Sequence, residues 1–398
     1  MKKLMILGAG IYQVPAIKKA KEMGVYTIVL SYIATDPGLK VANKSYKVNT
    51  TDVKKVLEIA LDEKIDGIMT IASEAASPIV NYIASKLNLP GMDYELSRII
   101  SYKYLLRKEL EEAGIPGPYY RLINDSRDII DFMNQLNAPI MIKPIYSSGS
   151  KGLYKIASVS ELEIEEKLNK CLQWSVNEKK VLAEEYIEGQ DIGGVCLIRE
   201  GSIIFFQLTK KYVNDGFVPV AHLVPLDICA SDMSKIKKII NKIIKKFNIE
   251  NAVFDIDIRL NKNGPYVIEL GGRLGGNCIP LLLQYYTKVD LIREVINISL
   301  GMPNEIDIQY ARSYYAVRIL GSSKSGKLNE IRGINNFIND AEVVELQIDC
   351  DTGAEVKSFE NSSNRLGHVI FKADKYNILE EGIRALENIF VIKSKHEI

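Results

Sequence analysis

The sequence predicts an α/β unit at the N-terminus followed by α+β units, and three observations carry that expectation. Apolar strand-like runs alternate with amphipathic helical ones over residues 1–90. Past residue 115 the strands crowd together with fewer helices between them. At 398 residues the chain has room for roughly two to four domains, each able to bury a core.

The elements follow in order. KLMIL (Lys3–Leu7) is an unbroken apolar run, as a strand covered on both faces requires. PAIKKAKEMG is a helix closed by Gly24, and VYTIVLSY is the next strand. TDVKKVLEIALDEK opens on a Thr/Asp cap and is helical, KIDGIMTIAS is a strand, and SPIVNYIASKLN a helix. Such alternation implies a parallel sheet between helices. SYKYLLRKELEEAGIPGP is an amphipathic helix stopped by Gly114 and the Pro116/Pro118 pair, a natural domain boundary. Strands follow at YYRLI, APIMIKPI, GLYKIAS and KVLAEEYI, then at DIGGVCLI, SIIFFQL, AVFDIDIRL and YVIEL. YYAVRIL begins a last α/β piece that ends in the helix YNILEEGIRALENIF. There is no repeat and no low-complexity segment.

A net charge of +1 gives no electrostatic reason to expect nucleic acid or an acidic membrane as partner. The N-terminal apolar run LMIL is too short for a signal peptide or a membrane span. The five cysteines stand singly without zinc-ligand spacing, which suits a reduced, cytoplasmic setting. Two near-motifs are decoys. GAGIYQ (Gly8–Gln13) lacks the third glycine of a dinucleotide fingerprint, and its next strand lacks the acidic ribose partner, so it reads as a tight turn beside a ligand cleft. GSSKSGKL (Gly321–Leu328) has leucine where a P-loop needs a hydroxyl, and reads as a polar surface turn. His222, His368 and His396 are isolated.

The chemistry concentrates in AVFDIDIRL-NKNG-PYVIELGGRLGGN. A hairpin with the three-residue loop Lys262–Gly264 gives Gly264 a positive φ, sets Asn261 opposite Pro265, and sets Asp257 opposite Glu269. Two facing carboxylates repel. Either an oxygen-preferring metal ion relieves them, lysine or arginine pairs with them, or the register shifts by one. Lys143 ends an apolar strand just before the Ser/Gly turn Ser147–Gly152, whose backbone N–H groups suit phosphate. Lys103 stands near a helix start, on a face that is otherwise read as solvated. LAEEYIEGQD (Leu182–Asp191) is a strand that ends in carboxylates.

In this order the segments resemble the ATP-grasp enzymes, most closely the carboxylate–amine ligase branch with its L-amino-acid ligases and relatives of the carbamoyl-phosphate synthase large subunit. They are Lys103, then KPIYSSGSKG (Lys143–Gly152), EEYIEGQD (Glu184–Asp191), DIDIRL (Asp255–Leu260) and IELGGRLGGN (Ile268–Asn277). The resemblance runs from Met1 to about Gly301 and weakens after it. It implies an ATP-grasp fold with a Rossmann-like pre-ATP-grasp domain over 1–97, a linker helix and small subdomain over 98–188, a large subdomain over 189–302 and a C-terminal α/β subdomain over 303–398. It implies ATP, with magnesium or manganese, as cofactors. Lys103 and Lys143 would touch phosphates under a flap formed by Ser147, Ser148, Gly149, Ser150 and Gly152. Glu184 would lie by the adenine amino group, the backbones of Glu185 and Ile187 would read the ring, and Asp191 would bind ribose. Asp257 and Glu269 would hold metal, although relatives place an asparagine where this chain has Gly271. Arg273 would stabilise the transferred phosphoryl group or the substrate carboxylate. Gly275 and Gly276 would admit the acyl phosphate, with Asn277 by the incoming amine.

For substrate contacts the sequence offers Glu74, in TIASE at a strand's carboxyl end, and His222, in the long loop KKYVNDGFVPVAH. The implied reaction joins a small carboxylate to an amine through an acyl phosphate, releasing ADP and phosphate, in a homodimer. Bicarbonate activation to a carbamoyl or carboxy phosphate, and a non-catalytic nucleotide sensor, are the alternatives.

Overall fold

The structure is a computed structural model, which describes residues 1–147, 149–158, 160–175, 179–333 and 341–393. Strands β1 (Lys3–Leu7), β2 (Tyr26–Ser31), β3 (Lys44–Lys47) and β4 (Gly67–Met69) form a parallel sheet in the order β3-β2-β1-β4. The helix Val53–Glu63 starts at Asp52, whose side chain caps the Lys55 N–H. The short helix Pro37–Val41 and the mostly exposed strand β3 carry no apolar period and escaped the sequence reading.

Strands β5 (Tyr120–Ile123), β6 (Ile140–Pro144), β7 (Tyr154–Ile156) and β8 (Val181–Glu185) make an antiparallel sheet ordered β5-β8-β6-β7. The largest sheet begins with β9 (Gln190–Arg199), β10 (Ser202–Val213), β11 (Pro219–Val224), β12 (Ala252–Asn261) and β13 (Gly264–Gly271). Of the later strands β14 (Tyr314–Leu320), β15 (Gly326–Ile331), β16 (Glu342–Ile348), β17 (Glu355–Val356), β18 (Gly367–Ala373) and β19 (Phe390–Lys393), three join it. Its order is β13-β12-β9-β10-β11-β14-β18-β16, so one antiparallel sheet runs continuously across residue 302. The other three form a small sheet, β17-β15-β19.

Two sequence expectations are corrected. KKYVNDGFVPVAH is the end of β10, a turn and β11 rather than a long loop. Asn214 makes the turn, its side chain accepting from the N–H groups of Gly216 (3.1 Å) and Val218 (2.9 Å). GSSKSGKL is a surface turn only in its first half: Gly326 opens β15, and Leu328 is 1% exposed.

Strand β12 alternates buried and half-buried residues without a break. Phe254, Ile256 and Ile258 pack with Ile236, Ile240 and Ile243 of the helix Ala230–Lys246. Period two therefore sends Asp255, Asp257 and Arg259 to the other face. A second core joins the N-terminal sheet to the large one through Ile6, Val29, Ile71, Val195, Leu274 and Leu282. Among the described residues no helix is long and apolar enough to cross a membrane.

Candidate active site

Between the β5-β8-β6-β7 sheet and the face of β12 lies a solvent-open cleft of about 870 Å³. Lys103, Lys143, Ser147, Gly149, Ser150, Glu184, Glu185, Ile187, Asp191, Asp257 and Glu269 all line it. Ser148 lies outside the described residues.

Asp257 faces Glu269, by a route that differs from the expected one. The turn is the two-residue Lys262–Asn263 pair, Asn261 stands opposite Gly264 (φ +122°), and Leu260 opposite Pro265. A β-bulge then places Ile258 opposite Val267 and Asp257 opposite Glu269, so the extra residue on β13 restores the pairing that the shorter turn would have lost.

The cations are set by local periodicity. Helix Lys103–Glu112 buries Lys103, Leu106, Arg107 and Leu110, one stripe at helical spacing. Lys103 is therefore 8% exposed, against the solvated face its sequence suggested, and its ammonium donates to the Ser147 carbonyl at 2.8 Å and lies 3.5 Å from Glu269. One turn on, Arg107 donates to Glu184 at 2.6 Å and to the Val267 carbonyl at 2.8 Å, tying the helix to both β8 and β13. Lys143 meets the other Glu184 oxygen at 2.6 Å. Both Glu184 oxygens are thus occupied by cations, so the side chain expected beside an adenine amino group holds Lys143 in place instead. Burial raises the Glu184 carboxyl, but Arg107 and Lys143 outweigh it and hold it below its ordinary range.

On β10, Lys211 reaches Asp257 and donates to its Oδ2. Arg259 donates to Asp191 Oδ1 through Nε (2.9 Å) and Nη2 (2.6 Å), leaving Oδ2 outside that contact. The facing carboxylates are unequal. Burial, with Asp191 and Glu269 nearby, raises Asp257 to about 6 despite Lys211. Glu269, raised by burial but surrounded by Lys103, Lys143, Arg273 and Lys211, is held at about 2. Lysine pairing is thus the relief observed. The pair still suits a hard cation that keeps waters and phosphate oxygens, since it offers two carboxylates and no third side-chain ligand. Among the described residues no group of three or more His, Cys, Asp or Glu side chains is arranged for a metal.

Arg273 does not line this cleft. It donates to Asp255 and lies 3.2 Å from Glu74, whose other oxygen accepts from Ser101 at 3.0 Å. Its Nε and Glu74 Oε2 are buried without a hydrogen-bond partner, so the 3.2 Å contact is an ion pair without hydrogen-bond geometry. Residues 271–277 are clamped by the N-terminal unit: Ile71 bridges Leu274, and Ser77 donates to the Gly272 carbonyl at 2.7 Å. Gly271 has a physical reason here, because a Cβ would meet the Arg273 guanidinium carbon at 3.0 Å. A Cβ at Gly275 would meet Asp255 Oδ1 at 2.7 Å, and one at Gly276 would meet Ala72 at 3.2 Å. Asn277 (φ +52°) accepts from the Tyr12 hydroxyl at 3.2 Å. His222 is 2% exposed, with Nδ1 2.8 Å from Thr209 Oγ1, and is absent from the residues lining the cleft.

Over the cleft, Ser150 Oγ donates to the Phe217 carbonyl at 3.1 Å, so the Ser/Gly turn touches the β10–β11 turn. The sequence reading missed Arg107, Lys211, Arg259 and Asp255. Arg107 is the i+4 neighbour of Lys103, and Asp255 and Arg259 are the i±2 neighbours of Asp257. Periodicity could have found those three; Lys211 carried no signal once its segment was read as a loop.

Comparison with known proteins places this geometry. Residues 136–281 match the ATP-grasp domain, and residues 318–389 match L-amino acid ligase C-terminal domain 2. The chain therefore carries an ATP-grasp domain over residues 136–281. An uncharacterised protein of Sinorhizobium fredii is 25% identical over 81% of this chain and 67% of its own. The phosphoribosylamine–glycine ligase of Pyrococcus furiosus is 23% identical over 87% of this chain and 82% of its own. The crystal structure of the L-amino acid ligase from Bacillus licheniformis shares the fold, with a TM-score of 0.82 over 99% of both chains at 20% identity.

Proposed function

We propose that this chain is an ATP-dependent ligase that joins a small carboxylate, an amino acid or similar compound, to an amine. The observation that carries the reading is the convergence of Lys103 and Lys143 on the facing pair Asp257 and Glu269 inside one cleft. Two relatives in hand are named as ligases that act on amino acids, phosphoribosylamine–glycine ligase and L-amino acid ligase.

In the first step a substrate carboxylate oxygen attacks the γ-phosphorus of ATP, the bond to the β-phosphate oxygen breaks, and ADP leaves. Lys103 and Lys143 spread the developing charge, Lys143 being held by Glu184. Asp257 and Glu269 would hold magnesium or manganese, which supplies charge neutralisation at the phosphates. Asp191 Oδ2 is available for a ribose hydroxyl, and Tyr186 packs beside it under the Arg259 guanidinium, 5.1 Å from the ring centroid. The turn Gly149–Gly152 closes the phosphate end against Phe217, keeping water from the acyl phosphate. In the second step an amine attacks the acyl carbon and phosphate leaves. Arg273, paired with Glu74 and Asp255 beside the cleft, would turn toward the acyl phosphate, with Gly275, Gly276 and Asn277 bordering that end.

The test is phosphate release in a matrix of amino acids with ATP and magnesium. Release confined to particular carboxylate-plus-amine pairs is the expected result. Release with bicarbonate alone would replace this reading with carboxy-phosphate chemistry, and tight ATP binding without turnover would leave a sensor.

A further inference from the structure

We propose that Lys211 is a further lysine of the reaction: its ammonium holds the metal's place on Asp257 while the cleft is empty, and moves onto the nucleotide's phosphates when metal and nucleotide enter together. The inference rests on the assignment of Asp257 and Glu269 as the metal-holding pair.

Three observations carry it. Lys211 lines the same cleft as Lys103 and Lys143, although it comes from β10, two strands away from Asp257. The β9 residue between Thr209 and Asp257 is Gly193, which has no side chain to block the crossing, and a Cβ there would run into the His222 imidazole at 2.8 Å. Lys211 therefore passes over β9 and donates to Asp257 Oδ2, its side chain only 13% exposed. Second, Glu269 has its own cation, Lys103, at 3.5 Å. Third, Asp191 on the same face already receives Arg259.

A divalent cation arriving alone would have to displace Lys211 from Asp257 and sit near two uncompensated ammonium groups. At such distances, in a partly desolvated cleft, that repulsion is large. Nucleotide phosphates reverse the sign of the problem. They supply the negative charge that takes over Lys211 and Lys103 and frees Asp257 and Glu269 for the metal. Lys211 thus makes metal binding conditional on the nucleotide. It also gives the phosphates a third cation, from the opposite wall to Lys143.

The test is a calorimetric titration of Mn²⁺ into the full chain, without nucleotide and then with ADP. Wild type is expected to bind Mn²⁺ with ADP, and at least about tenfold more weakly without it. Lys211→Met should tighten nucleotide-free Mn²⁺ binding by about tenfold or more and weaken metal-free ADP binding. Lys211→Arg, which keeps the charge, should behave as wild type, and Asp257→Asn added to Lys211→Met should abolish the gain. Lys211→Gln, which keeps a hydrogen bond to Asp257 without the charge, reads the same quantity if the methionine variant does not fold. Equal nucleotide-free Mn²⁺ affinity in wild type and the uncharged variants overturns the inference while leaving the ligase reading in place. Failure of wild type to bind Mn²⁺ even with ADP overturns the metal assignment beneath it, and the inference falls with it.

Discussion

Two buried charge networks occupy opposite ends of the large sheet, and their histidines show how they differ. His222 and His368 are each 2% exposed. His222 meets a threonine hydroxyl with the Lys211 ammonium nearby, so burial and that cation push it down to about 3 and it stays neutral. His368 lies 3.0 Å from Glu345; burial would lower it, but Cys278 and Glu345 outweigh burial and raise it to about 9. Equal burial gives opposite charge because the partners differ. The networks differ in the same way. Around His368, Arg365 meets Asp349 at 2.8 Å, and Glu345 accepts from Tyr285 at 3.0 Å, so the charges close on one another. In the cleft the helix-borne Lys103 meets Glu269 of β13, and Lys211 of β10 crosses β9 to Asp257 of β12, both among the residues that line a space a ligand can enter. The first network holds the fold together; the second is arranged to be opened.

That contrast is broken most forcefully at Glu269. Glu269→Gln keeps the shape and removes the charge, and is expected to cut turnover by about a thousandfold or more with the fold intact. Near-wild-type activity would remove Glu269 from the site. Next in size, Glu184→Ala strips the partner from two buried cations at once. Chemical denaturation should show a loss of about 3–5 kcal/mol, whereas a loss within experimental error would mean that Lys143 and Arg107 find other partners.

The histidines themselves predict a maximum in stability against pH. His368 is raised, so the stability it adds is full below its ordinary value of 6.5 and is lost as pH rises through about 9, up to about 3 kcal/mol. His222 is lowered, so its stability is full above 6.5 and falls as pH drops toward about 3. His368→Gln should flatten the alkaline limb alone; an unchanged alkaline limb would assign that slope to another group. The smallest expected effect is Gly271→Ala. Its methyl presses on the movable end of Arg273, so stability should change by about 1 kcal/mol or less while turnover falls measurably. Unchanged turnover would mean that the arginine has room to spare.

The sequence made much of this legible, and the failures have physical causes. The parallel N-terminal sheet could be read because its strands are unbroken apolar runs between capped helices. The Asp257–Glu269 pairing was expected with the wrong turn, because a bulge is invisible in a strand's alternation and here compensated the turn by one residue. The strand pair β10–β11 was hidden by the polar Asn-Asp-Gly turn inside it, and Lys211 went unread with it. Lys143 was legible from its place at the end of an apolar strand, whereas Lys103 was read as solvated although it shares a helical stripe with Leu106 and Leu110. The pairing of Glu184 with two cations joins residues far apart in sequence, and no local pattern announces it.

One measurement reaches the central claim most directly. Amino acids labelled with oxygen-18 in the carboxylate are turned over with ATP and magnesium, and the released phosphate is analysed by mass spectrometry. An acyl phosphate requires one labelled oxygen to pass from the carboxylate to the phosphate. Phosphate that carries a single label, formed together with ADP and an amide, is the predicted result. Amide formed with unlabelled phosphate would contradict the account.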